Sequence, residues 1–155
     1  MDGYSKGRIF CATATIVLSL LWAGMLLGIS FLETPVKFLA PTITTAVALD
    51  VGRTVFHYFF IVQAGIMLLL AFAVFFARPS KVVWMLAGIV AASLLVQNIW
   101  LLPVLDARVT MVQSGIAIAD LPKTSVHNFY AICEVLKLVG LFWLGIGGIN
   151  QLRRS

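Results

Sequence analysis

"SVHNFYAICEVLKLVGLFWLGI", residues 125–146, decides the fold. The stretch is long and apolar enough to cross a bilayer, whose hydrocarbon takes about 20 residues of helix. A lone crossing segment can satisfy its backbone polar groups only as a helix. Yet Glu134 and Lys137 stand near its middle. An isolated charge at that depth costs about 2.5–3.5 kcal/mol on insertion scales, and two such charges facing lipid would cancel much of the segment's apolar gain. Three residues apart, they lie on one helical face and can neutralise each other. The pair therefore points inward, and other helices must stand around it.

The rest of the chain supplies them. Of 155 residues, 61% are hydrophobic and only 11% are charged, against about 25% charged in soluble domains. Four apolar segments occur, at roughly 9–32, 54–77, 82–105 and 125–150. They use up the length, so residues 1–155 form one integral membrane domain. The expected fold is an all-α membrane protein, a bundle of four transmembrane helices. The basic start resembles a signal peptide, but the apolar run from Ile9 to Leu32 exceeds the ~7–15 residues of such a core. It reads as a retained first span.

Charge orients the bundle. Lys6, Arg8, Arg78, Lys81, Arg153 and Arg154 flank one side against Asp2 alone. On the other side Lys37, Arg53, Arg108 and Lys123 are balanced by Glu33, Asp50, Asp106 and Asp120. The positive-inside rule puts both termini in the cytoplasm, and a bacterial inner (plasma) membrane is the expected location. The net charge of +5 thus belongs to lipid contact and orientation, with no nucleic acid as partner. Trp84 and Trp143 are expected at the inner interface, and Trp100, Tyr58 and Tyr130 at the outer. Cys11 and Cys133 fall toward opposite faces, too far apart for a bridge.

The two longer links, 33–53 and 106–124, are expected to lie on the membrane surface or fold over the bundle. In the first, Thr34 and Pro35 read as a cap and first helical position, and Gly52 as the end of a short helix. A two-hairpin pseudo-repeat also runs through the chain. Pro35-Val36 is followed by "HYFF" from His57, and Pro103-Val104 by "HNFY" from His127. Both hairpins start on the same side, as in parallel repeats.

Few residues carry chemistry. Gln63 in the second span and Gln97 with Asn98 in the third share the outer half with Glu134 and Lys137, and complete a candidate intramembrane polar cluster. That cluster is either a proton or ligand site or a clasp that fixes packing. His57 and His127, the only histidines, are candidate ligands for a haem or a metal between helices. Two nitrogens alone leave a zinc or copper site incomplete, so no cofactor is expected. Gly24-x-x-x-Gly28 and Gly88 with Ala92 permit close helix approach, within the chain or in a homo-oligomer. No phosphate loop, activated nucleophile or metalloprotease motif is present, and no catalytic residue is assigned.

The run "AGMLLGISFLETPVKF" followed by "DVGRTVFHYFFIVQ", with "LLPVLDARV" and "SVHNFYAICEVLKL" in the second half, resembles the small four-helix membrane proteins of the DUF4149-type group. The resemblance implies membrane location and four helices, and no established activity. Gly52, Phe56 and His127 match its pattern without a known role.

The residues lead to a small polytopic membrane protein, non-enzymatic, lipid-associated or an accessory subunit beside a membrane-protein partner. A small-solute or proton-coupled transporter built on Glu134 and Lys137 is the first alternative. A haem- or metal-binding redox subunit using His57 and His127 is the second.

Overall fold

The computed structural model describes residues 2–122 and 124–153. Lys123 and Arg154, two of the charges counted above, and the Asp2 side chain lie outside the described residues. Four helices are long and apolar enough to cross a membrane: α1 (Lys6–Leu39), α2 (Thr45–Ala77), α3 (Lys81–Gln113) and α4 (Val126–Leu152). No strand occurs among the described residues. The fold is the all-α, four-helix bundle that the apolar segments require.

The helices are longer than the apolar segments. At 1.5 Å per residue, the 33 residues of α2 reach about 50 Å, against a hydrocarbon layer of about 30 Å. The excess lies in the links, which in large part continue the flanking helices. Thr34 does not cap; its hydroxyl donates to Ile29 O at 3.0 Å within a continuing helix. The start of α2 is capped by Thr44, which accepts from Val47 N. Gly52 does not end a helix but is buried inside α2. A side chain there would meet Lys37 Nζ at 2.6 Å, so glycine is what lets the lysine lie across α2.

The two helices that open the hairpins share a distortion. α1 widens into π-helical turns over Leu27–Glu33, and α3 does so over Gln97–Leu101. Each stretch ends just before a proline, Pro35 or Pro103. Proline lacks an N–H and its ring presses on the carbonyl four residues back. A π turn absorbs one extra residue and re-pairs the backbone, here through Thr34 N to Ile29 O and Leu102 N to Gln97 O. The Pro-Val positions of the pseudo-repeat thus carry the same backbone device.

α1 packs on α2 and α4, and α3 packs on the same two, so every adjacent pair is antiparallel. α2 and α4 face each other across a diagonal. The core is Trp22, Leu26, Leu70, Val74, Val90 and Leu141 with their neighbours. Close approach comes from the glycines of α4. A Cβ on Gly140 would sit 2.7 Å from Val90 Cγ2, and one on Gly148 would sit 2.6 Å from Ile16 Cγ1 and 3.1 Å from Ala12 O. By contrast Gly24, Gly28 and Gly88 have nothing within 4 Å; the spacing read from sequence as a packing motif faces outward.

Outward, the bundle is apolar over its length: Phe10, Leu68, Phe72 and Ile99 are each more than three-fifths exposed. A surface of that kind faces lipid. Trp84, Trp143, Trp100 and Tyr58 are exposed on it. Tyr130 is not; it is half-buried, with its ring edge-on to Phe56 at 5.4 Å. Arg8, the Arg78–Ser80 turn and Gln151 border one cavity, so both chain ends and the α2–α3 turn share one end of the bundle. The two links share the other. Cys11 and Cys133 are free thiols.

Candidate functional site: a four-helix polar network and a cavity between the links

Glu134 and Lys137 lie one turn apart on α4, buried, with Nζ 3.0 Å from Glu134 Oε1. Every other helix contributes to the group around them. From α2, Gln63 Oε1 accepts from Lys137 Nζ at 2.7 Å. From α1, Trp22 Nε1 donates to the same oxygen at 3.0 Å. From α3, Gln97 Nε2 donates to Glu134 Oε1 at 2.8 Å and to Tyr130 O at 3.2 Å. The π-helical stretch of α3 begins at Gln97.

The result is a continuous chain of bonds, Trp22–Gln63–Lys137–Glu134–Gln97, crossing the diagonal of the bundle. All five side chains are buried. Low surrounding polarity strengthens each link and makes an orphaned group costly. Two acceptors, Gln97 Oε1 and Glu134 Oε2, have no partner among the described residues. The cavity bordering Gln63, Gln97, Asn98 and Tyr130 measures about 10 Å³, near the smallest space that holds one water. Asn98 is half-buried on that cavity and makes no bond to the network. Trp22 belongs to the network although its sequence context reads as plain apolar span.

The two histidines have different surroundings. His57 is exposed, with Nδ1 2.9 Å from Arg53 O and Nε2 3.3 Å from Asp106 Oδ2. Both ring nitrogens are engaged. His127 instead lines a cavity of about 340 Å³ between the two links. Among the described residues no group of three or more His, Cys, Asp or Glu side chains is placed to hold a metal.

The link-end cavity has mixed chemistry. Leu49, Phe56, Val109 and Leu121 give it an apolar lining, while Lys37, Arg53 and Arg108 set cations around it against Asp106 alone. Lys37 is nearly buried, 3.4 Å from Glu33 Oε2, with its ammonium 5.8 Å from the centre of the Phe56 ring. Arg53 binds Asp50 at 2.7 Å. Arg108 donates to Pro122 O and has no carboxylate partner among the described residues. An apolar hollow with convergent polar groups is the usual form of a small-ligand site.

Four apolar spans around a buried polar network define the class: a polytopic integral membrane protein. Comparison with known proteins adds no relative, since no family model, no curated protein and no solved structure matches the chain.

Proposed function

We propose that this is a non-enzymatic protein of a bacterial inner membrane, with both termini cytoplasmic, that holds an amphiphile in the cavity between its links. The observation that carries the reading is that cavity: apolar walls, a volume of about 340 Å³, and the uncompensated Arg108 at its border. The central pair then acts as a clasp. Transport through Glu134 and Lys137 has less support, because every bond of the Lys137 ammonium goes to a neighbouring helix side chain or to Glu134.

Native mass spectrometry of the detergent-purified protein with lysophosphatidylglycerol, a single-chain anionic amphiphile, tests the cavity. One bound molecule per chain is expected, and Leu49→Trp, which fills the hollow, should abolish it. Undiminished binding to that variant would sink the reading. The topology has its own measurement. A cysteine at Lys6 should react with an impermeant maleimide only after the membrane is opened, and one at Ser114 should react in intact spheroplasts. The reverse pattern would invert the orientation.

A further inference from the structure

A second cavity, of about 350 Å³, opens at the end of the bundle that holds both termini. Three segments distant in sequence build it: the start of α1, the turn from α2 to α3, and the last turns of α4. Arg8 and Arg78 bring two guanidinium groups, Ser80 and Asn150 bring neutral polar groups, and no acidic side chain among the described residues lines it. Below them the walls are apolar, from Val83, Leu86 and Ile146. The floor is closed by the contact of α3 with α4 at Gly147, where a Cβ would lie 2.7 Å from Val83 Cγ2.

From these features we infer that this cavity is a site for the headgroup of an anionic phospholipid. Arg78 is exposed on this lining with no carboxylate partner among the described residues, and its charge favours an anionic ligand. Guanidinium groups match phosphate oxygens in geometry as well as charge. The N-terminus of α3 adds to the same field: its first turn carries no acidic residue, and Ser80 spends no side-chain bond on capping it. Anions are favoured at such a helix start. Arg78 holds a left-handed backbone (φ 48°), which ends α2 and turns the chain sharply into α3, so the turn residues border the same hollow as Arg8.

The depth suits a lipid. Trp143 is exposed on the cavity wall, and exposed tryptophan of a membrane protein sits at headgroup level. The apolar walls face the direction of the acyl chains, which a free phosphate would leave unoccupied. A cavity of this size falls within the about 300–1,000 Å³ of small-ligand sites, enough for a headgroup with the first part of its chains. The inference does not depend on the link-end cavity, whose occupant is a separate molecule at the opposite end.

The experiment compares lipids with identical acyl chains. Purified protein is incubated with equimolar dioleoyl phosphatidylglycerol and dioleoyl phosphatidylcholine, and the retained lipid is read by native mass spectrometry. The wild type should retain phosphatidylglycerol in clear preference. That preference should fall about fivefold for each of Arg8→Gln and Arg78→Gln, the factor one basic residue near an anionic headgroup is worth. The double variant Arg8→Lys with Arg78→Lys should keep most of it, and Arg108→Gln at the far end should leave it unchanged. Equal retention of the two lipids overturns the inference. So does a preference that survives the paired glutamine substitutions, or one that 10-fold excess inorganic phosphate removes, which would mark an anion site without lipid selectivity.

Discussion

Replacing Lys137 with Met is expected to destabilise the bundle by about 3–5 kcal/mol, the usual cost of breaking a buried ion pair from one side. The substitution orphans more than Glu134. Gln63 Oε1 loses one of its two donors, and Glu134, whose second oxygen already lacks a partner, keeps only the Gln97 amide. Adding Glu134→Gln removes the uncompensated charge and should recover much of the stability, because a buried pair is often worth little more than a well-packed neutral replacement. A thermal double-mutant cycle in detergent measures the coupling. A double variant as unstable as the two single losses combined would show that the residues are not partners.

Trp22→Ala should cost a similar amount, about 3–5 kcal/mol, as for other buried large-to-small tryptophan changes. The indole is fully buried among Leu26, Phe59 and Ile66. In lipid the loss is mainly one of packing, since hydrocarbon outside is as apolar as the core. Trp22→Phe separates the two parts of its role. It retains most of the volume and removes only the bond to Gln63, whose oxygen still accepts from Lys137, so about 1 kcal/mol is expected. Unfolding midpoints of both variants check the ranking. Equal losses for alanine and phenylalanine would assign the whole effect to the hydrogen bond.

The pairing of Glu134 with Lys137 was readable because three-residue spacing on a helix leaves few other geometries once both charges must avoid lipid. Gln63 and Gln97 were readable for the same reason, as amides at mid-span. Asn98 joins them in the sequence only by adjacency, and consecutive residues on a helix point about 100° apart. If Gln97 reaches the network, its neighbour cannot do so equally. Trp22 is not legible as a network member because tryptophan in a span reads as apolar bulk or as an interfacial anchor. Its depth held the clue: an indole N–H near the middle of the first span has no interface within reach and needs a buried partner. Spacing alone also could not say which small-residue face turns inward. Gly24 and Gly28 fit the motif and face out, while Gly140 and Gly148 do the packing.

Helix in the first link is legible in the sequence, but its continuity with the spans is not, because the link residues alternate polar and apolar character without a clear stop. Thr34, Pro35 and Gly52 each look like punctuation. The structure continues through all three, by a π turn at the proline and by the fit of Lys37 against Gly52. The histidines illustrate the opposite limit. Their matched positions in the repeat make them counterparts, yet spacing alone could not show that Asp106 and Arg53 engage one ring while the other borders the link-end cavity.

The order of bonds in the network bears on how the protein is made. Trp22 and Gln63 bond within the first hairpin, whereas Glu134, Lys137 and Gln97 bond within the second. The ion pair itself lies on a single helix. As the chain leaves the ribosome and enters the bilayer, α4 carries its own neutralising partner, and each hairpin can shelter its polar groups before meeting the other. Only Lys137 to Gln63 joins the two halves. Biogenesis can thus proceed hairpin by hairpin, with no stage that leaves a solitary charge in hydrocarbon, and that one bond forms as the halves dock.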